Sequence, residues 1–364
     1  MPSSYHLLLV PPSTAHRFAV DLLTHNGVAS TDAAIIASAL VEADLRGHDT
    51  HGIQRLPSYI ARIRHGVLDP HASPTLKQIT PVVALVDGHN GFGFLAAHMG
   101  MDAAIRMAQG EMGIGLVAVK HSNHFGMSAW VVQQALDAGM ASLVFTNSSP
   151  ALPPYGGREK LLGVSPIAAG APGGPGRRPY IIDMAPSVAA RGKVYKALRR
   201  GEQIPKGWAL DKHGRETQDP QAALEGVMLA MGGPKGSALA IMMDVFSGVL
   251  TGSAFAGNVA GPYDPSRPGD VGHFLLAIRP DLFLSRQEFA ARMQYLYERV
   301  TGAERAEGVD RIYFPGEVEL VTRERRMREG IPVVQAELDA LNEEAKRVGV
   351  DLLTAELQRE KARL

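Results

Sequence analysis

The 364-residue chain balances 37 Lys and Arg against 37 Asp and Glu, so it offers no polybasic field to nucleic acid or anionic lipid. It has no cysteine, which excludes disulfides, thiolate nucleophiles, iron–sulfur clusters and cysteine-bound zinc, and leaves 13 histidines as candidate ligands and proton carriers. Hydrophobic residues make up 45% and charged residues 20%, the balance of a soluble globular protein, and the length suffices for two domains.

The opening "MPSSYHLLLVPP" has an apolar run too short for a signal peptide and no basic flank. No stretch reaches the roughly 18 apolar residues of a membrane helix. The expectation is a cytoplasmic protein with neither a membrane nor a nucleic-acid partner. The closing "ARL" resembles a variant of a peroxisomal address, which matters only for a eukaryotic source.

Residues 13–66 read as helices. Ser30 or Thr31 is placed to cap one whose Ile36, Leu40 and Ala43 keep the 3.6-residue period, and Gly47 ends it. A second carries Leu56, Tyr59, Ile60 and Ile63 on one face and stops at Gly66. From about residue 79 the pattern changes. "PVVALVD", "IGLVAV", "ASLVFT" and "YIIDMA" are short β-branched runs bounded by Gly, Pro or Asn, hence buried strands, and helical stretches at 93–109 and 128–138 separate them. That alternation predicts an α/β sheet. "APGGPGRRPY" reads as a hairpin tip, and "GSALAIMMDVFSGVL", apolar nearly all round, as a buried helix. After residue 284 the chain reads as helical again, ending in "QAELDALNEEAKRVG". The division expected is a helical lobe of residues 1–78 plus 284–364, with an α/β lobe of residues 79–283 inserted in it.

Five stretches can carry chemistry. In "GHDTHGIQR", residues 47–55, a helix starting near His51 would set His51 and Arg55 four apart on one face. An imidazole able to exchange a proton would then stand beside a guanidinium suited to a carboxylate, with Thr50 to orient it. The same stretch also reads as a polar capping turn. His48, Asp49 and His51 with His121 and His124 of "HSNH" are in addition the ligand types of a metal-dependent hydrolase, although H-x-x-H alone is a weak pattern. "VAVKHSNHFG" puts His124 at a strand's C-terminal edge, beside the aromatic Phe125 and the small Gly126. "GHNGFGFLA" has the glycine order of a Rossmann fingerprint, yet the next strand ends in Lys120 where an acidic residue should stand. Its glycines are assigned to a tight turn and close packing. "GGPKGSALA" brings Lys235 to a helix start, a combination suited to an anion. "DMAPSVAARGKV" places Asp183 at a strand end, where it can accept from hydroxyls or cap a helix, with Arg191 and Lys193 following.

These motifs, with "EADLRGHDTHGIQRLPSY", "GWALDKHGRETQDP", "GGPKGSALAIMMDVFSGVLTGS" and "FPGEVEL" in that order, give residues 13–333 a resemblance to the type-2 malate/L-lactate dehydrogenase family. Its members include ureidoglycolate and sulfolactate dehydrogenases and diketogulonate reductases. The resemblance implies a non-Rossmann α/β cofactor domain, NAD or NADP as cofactor, a small 2-oxo or 2-hydroxy acid as substrate, no metal, and a homodimer. His51 matches the family's proton donor, Thr50 its supporting hydroxyl and Arg55 the arginine that binds the substrate carboxylate. His124 matches a histidine used as base by ureidoglycolate dehydrogenases and also lies against the cofactor. Ser148, Asp183, Met184, Ala185, Lys235, Gly236, Pro315, Gly316 and Glu317 match cofactor contacts. Phe125 and Gly126 join that set, and His48 and Arg191 are further candidates for the substrate. Lys193 stands where imine-reducing members carry aspartate. In "GVSP", residues 163–166, Val164 stands where many members offer a hydroxyl. Either imidazole can be the proton carrier on this reading, and one near its ordinary pKa would make the rate respond to pH between roughly 6 and 8. A non-catalytic binding homologue is the remaining alternative.

Overall fold

A computed structural model describes residues 7–355; the "ARL" terminus lies outside them. β1 (Leu7–Val10) leads into α1 (Pro12–Thr24) and α2 (Ser30–Leu45). The residue before α2 is Ala29 and no side chain caps the helix, so neither Ser30 nor Thr31 has the predicted role. Its C-terminus follows the prediction. Gly47 adopts φ +86°, and the amides of Gly47 and His48 donate to Asp44 and Ala43, the paired bonds that close a helix at a left-handed glycine. α3 (Leu56–Arg64) then buries Leu56, Tyr59 and Ile60, and Gly66 follows it at φ +69°.

The sheet begins with β2 (Thr75–Thr80), β3 (Val83–Asp87), α4 (Gly93–Gln109), β4 (Ile114–Ser122), α5 (Ser128–Asp137) and β5 (Ala141–Thr146). β6 (Pro150–Leu152) and β7 (Leu162–Gly163) form a small ladder, and β8 (Ile167–Ala171) and β9 (Tyr180–Met184) the predicted hairpin. Beyond them come α6 (Arg191–Arg200), β10 (Ala209–Leu210), β11 (Glu216–Thr217), α7 (Pro220–Glu225), β12 (Val227–Met228) and α8 (Pro234–Asp244). A π-helical turn at Val245–Val249 extends α8, and β13 (Val271–Ile278) follows. The chain continues through α9 (Arg286–Thr301), which packs beside the β8–β9 hairpin, then α10 (Glu317–Glu329), β14 (Ile331–Val334) and α11 (Gln335–Val348).

Seven strands make one mixed sheet in the order β2-β3-β4-β13-β5-β8-β9. β3 and β4 pair in parallel across α4, and the other neighbours pair antiparallel. This arrangement brings the C-terminal ends of β4, β5 and β9 to the same edge as the N-terminal ends of β8 and β13. Ser122 faces Val271, His273 faces Thr146 and Ile167 faces Met184 across the ladders. Loops leaving that edge therefore converge.

One apolar core draws on both chain ends: Phe18, Leu22, Ile36, Leu40, Leu56 and Ile60 pack with Ile331, Leu338 and Leu341. Each such fully buried side chain contributes about 1.5–3 kcal/mol. A second core lies between the sheet and α4 and α5, and a third under α6 and α8.

Three expectations change. The returning segment is not wholly helical, because β14 pairs with β1 and ties the two chain ends together. The expected lobe boundary at residue 79 falls inside β2, whose exposed edge-strand sequence "TLKQIT" lacks the alternation that would reveal a strand. The segment read as a buried helix instead exposes Ile241, Val245, Val249 and Leu250, each more than 40% accessible, along one stripe. Among the described residues no helix is long and apolar enough to cross a membrane.

Candidate active site

A cavity of about 440 Å³ opens at the sheet edge where the loops converge. Residues 123–128 after β4 line it, as do 146–149 after β5, Val164 and Pro166 before β8, Asp183 and Ala185 at the end of β9, and Val271 at the start of β13. His48, Thr50, His51, Arg55 and Tyr59, from the turns after α2 and from α3, close it.

The turn carrying the histidine and arginine is not one helix. Two single 3-10 turns, Asp49–His51 and Ile53–Arg55, are separated by an extended Gly52. A Cβ on Gly52 would lie 1.7 Å from Asp44 Oδ1, so only glycine fits. Asp44 is buried at the end of α2 and its carboxylate accepts the Ile53 amide at 2.9 Å. Burial, opposed in part by that hydrogen bond, holds its pKa well above the usual carboxylate range. Arg326, from α10, donates to the Asp44 carbonyl and to the Asp49 carboxylate. Both chain ends thus fix this turn, and His51 and Arg55 meet at the cavity although they do not share a helix.

His51 Nδ1 lies 3.0 Å from the Thr50 hydroxyl, and its ring stacks on that of His124 with centroids 5.4 Å apart. Burial, then the positive charge of Arg55 and then His48, lower the His51 pKa to about 3. His124 Nδ1 accepts the Gly126 amide at 3.3 Å, and the Tyr59 hydroxyl lies 2.7 Å from the same atom. A backbone N–H can only donate, so Nδ1 is unprotonated and the neutral ring carries its proton on Nε2. Burial, then His51, Arg55 and His273, hold this imidazole well below its ordinary pKa. Burial likewise raises the Tyr59 phenol, which keeps it a hydrogen-bond donor. Both imidazoles are therefore neutral in the free protein at pH 7, and the expected titration between pH 6 and 8 is corrected: desolvation outweighs the ordinary histidine pKa.

Arg55 Nε donates to the Thr50 carbonyl at 2.5 Å, and its guanidinium lies over the Tyr263 ring at 5.1 Å. Its Nη1 is buried with no hydrogen-bond partner, an unsatisfied charged donor on a residue of the cavity wall. The Ser128 hydroxyl, also in the wall, is equally buried and unpartnered. Arg62 carries its charge differently, since it donates to the carbonyls of Gly261, Asp264 and Arg267 and pins that loop over the cavity.

Of the other predicted residues, His48, Phe125, Gly126, Ser148, Asp183, Ala185 and Arg191 line the same cavity. Asp183 Oδ2 accepts the Ala129 amide at 2.8 Å, so it serves the start of α5 rather than the helix that follows it. Met184, Pro315 and Gly316 line a neighbouring cavity of about 200 Å³ that shares His48 and Asp183 with the first. Three residues lie apart from both. Lys235 is exposed at the start of α8, and Gly236 packs its backbone against Met231 and Pro186. Glu317 is buried and spent on the Tyr297 hydroxyl, Arg311 and the Phe314 amide. Its carboxylate closes the turn before α10, which needs an acid at that position whatever the ligand.

The proposed metal ligands do not assemble. His121 turns to Asp87 on the neighbouring strand at 3.1 Å, and Asp49 is taken by Arg326. Among the described residues no group of three His, Asp or Glu is placed to hold an ion. Sequence reading also missed residues. Tyr59 looked like one more core position at helical spacing, and only the fold shows that its hydroxyl meets His124. His273 sits within an apolar strand, fully buried between the Thr146 and Ser122 hydroxyls, with burial lowering its pKa to about 3.

The structure matches that of the sulfolactate dehydrogenase from Methanocaldococcus jannaschii with a TM-score of 0.90 at 34% identity, covering 95% of this chain and 98% of the other. The malate/L-lactate dehydrogenase family profile matches residues 10–342, and the chain belongs to that family. It is 35% identical over 322 residues to the Escherichia coli ureidoglycolate dehydrogenase (NAD(+)), covering 88% of this chain and 91% of that protein. It is 38% identical over 270 residues to the (2R)-3-sulfolactate dehydrogenase (NADP(+)) of Chromohalobacter salexigens, covering 74% and 80%.

Proposed function

We propose that the protein transfers hydride reversibly between NAD or NADP and a small 2-hydroxy or 2-oxo acid. One observation carries the reading: Arg55, whose Nη1 is buried without a hydrogen-bond partner, lines the same cavity as two neutral imidazoles. The residues fit a dinucleotide. Phe125, Val259 and Val271 give apolar walls for a flat ring, Gly126 allows close approach, and the orphaned Ser128 hydroxyl awaits a polar partner. When bound, the nicotinamide supplies or receives the hydride.

The chain's own groups do the rest. Arg55 binds the carboxylate and so fixes the reacting carbon in position. His51, donating from Nδ1 to Thr50, presents the Nε2 lone pair and takes the hydroxyl proton during oxidation. His124, locked by Tyr59 and Gly126 with its proton on Nε2, donates to the same oxygen and orients it. Carboxylate binding neutralises the Arg55 charge, which lifts the basicity of His51 when it is needed. The apolar walls and the loop held by Arg62 exclude water.

The wider architecture has matching support. We read the first lobe as a helical unit made from both chain ends, and the inserted sheet as a non-Rossmann cofactor domain, because most of its strand pairs are antiparallel. Gly93 serves packing there, since a Cβ would lie 2.0 Å from the Asn123 carbonyl. The exposed Ile241, Val245, Val249 and Leu250 stripe is the face expected to be covered by a second copy in a homodimer.

Thermal denaturation with NADH and NADPH tests the cofactor claim, followed by a screen of each against pyruvate, oxaloacetate, sulfopyruvate, ureidoglycolate and 2,3-diketogulonate. Cofactor at a hundred times its Kd adds about 2.7 kcal/mol of apparent stability. No protection by either cofactor would leave a family member that has lost its chemistry.

A further inference from the structure

The segment "GPYDPSRPG", residues 261–269, forms neither helix nor strand, yet it is tied down at several points. The Ala260 amide donates to the Gly269 carbonyl at 3.2 Å and closes the base of the loop. Inside it, the Asp264 amide donates to the Gly261 carbonyl at 3.0 Å and turns the chain. Gly269 packs so closely on Asn123 that a Cβ would lie 2.3 Å from its Oδ1. From beneath, Arg62 is 3% exposed and donates to the carbonyls of Gly261, Asp264 and Arg267. The loop's own acid, Asp264, accepts from Ser266 and pairs with Arg267 instead. A buried guanidinium satisfied by carbonyls alone is a costly anchor for a surface loop, so what the loop carries matters.

It carries Tyr263. That side chain is 73% exposed, so core packing does not explain its place. Its ring faces the Arg55 guanidinium, with the centroid 5.1 Å from Cζ, within the range of a cation–π contact. Ala260 and Pro262 line the cavity, whereas Tyr263 is not part of its wall and meets Arg55 from outside. Arg55 has one other restraint, the hydrogen bond from Nε to the Thr50 carbonyl. One such bond leaves a guanidinium free to pivot about it, and a ring set against the group removes that freedom. Neither contact uses Nη1.

We propose that Tyr263 is a positioning residue for Arg55: the loop anchored by Arg62 seats its ring against the guanidinium and holds that group at the angle that receives the substrate carboxylate. This rests on the hydride-transfer reading above and deepens it. Tyr263 touches neither substrate nor cofactor, so its effect is expressed in substrate affinity and passes through Arg55.

The test is steady-state reduction of the best 2-oxo acid from the substrate screen by the native enzyme, Tyr263→Ala and Tyr263→Phe, with thermal protection by the preferred cofactor measured alongside. Tyr263→Ala should raise the substrate KM about tenfold and leave kcat within about twofold, the scale of one partly desolvated cation–π contact. Tyr263→Phe keeps the ring and should stay within about twofold of the native KM. In an Arg55→Ala background, Tyr263→Ala should change kcat/KM by less than about twofold, because the group it positions is gone. Cofactor protection should be the same in every Tyr263 variant. A native KM in Tyr263→Ala would overturn the proposal while leaving the dehydrogenase reading intact. So would a Tyr263→Phe enzyme as impaired as Tyr263→Ala, or a full loss that persists without Arg55. Weakened cofactor protection in Tyr263→Ala would assign the residue to the cofactor and overturn the proposal too. No turnover of any 2-oxo acid by the native enzyme would sink the underlying reading and this one with it.

Discussion

Arg55→Ala is expected to lower kcat/KM for 2-oxo acid reduction about a thousandfold, equivalent to about 4 kcal/mol. The loss combines a charge-assisted contact with the desolvated substrate carboxylate left behind without its partner. Arg55→Lys should recover only part of it. The native guanidinium already spends Nε on the Thr50 carbonyl and leans on Tyr263, while Nη1 stays free. A lysine has a single ammonium that cannot hold the turn and the substrate at once. Steady-state kinetics should place the Arg55→Lys loss near a hundredfold, mainly in KM. A second signature separates this role from mere structural support. Because the Arg55 charge helps depress His51, its removal must raise the His51 pKa. The alanine variant should then show an acid-side break in its pH profile closer to neutrality than the native enzyme does.

His51→Asn should lose about 10³-fold in kcat, within the usual range for a general acid–base residue. His124→Asn should lose less and chiefly in KM, since that ring donates a hydrogen bond and does not carry the proton. The pH profiles follow from the depressed pKa. A neutral base is required for oxidation, and His51 with a pKa of about 3 is neutral throughout the working range. Oxidation kcat/KM should therefore be flat from about pH 5 to 8. Reduction consumes a proton that the free imidazole does not hold. Its kcat/KM should rise about tenfold for each pH unit lowered over the same range, with no plateau at about 6.5 where an unperturbed histidine would level it. A plateau there would mean that His51 is solvated in the working enzyme.

Much of this site was legible before the fold was known. "GHDTHGIQR" and "SNHFG" offered both imidazoles and the guanidinium as candidates, although the first also read as a polar capping turn, and the family resemblance gave them their roles. The strand edge was readable too, since β-branched runs ended at Lys120, Thr146 and Asp183 and the cavity forms at the loops that follow. What stayed hidden depends on three-dimensional company. No periodicity shows that Tyr59 turns its hydroxyl to His124, or that Gly52 must clear the buried Asp44. The depressed pKa values are likewise a property of burial and of neighbours distant in the chain. Glu317 belongs to a distinctive motif, and the fold adds that its carboxylate closes a turn. The α8 stripe looked buried because it is apolar, and sequence alone cannot show that the fold leaves it exposed.

The most direct measurement is a crystal structure with NADH and oxamate, an unreactive mimic of a 2-oxo acid. The account predicts the oxamate carboxylate on the Arg55 guanidinium and its carbonyl oxygen within hydrogen-bond reach of His51 and His124, beside the nicotinamide. A carboxylate held elsewhere, with Arg55 still unpartnered, would contradict it.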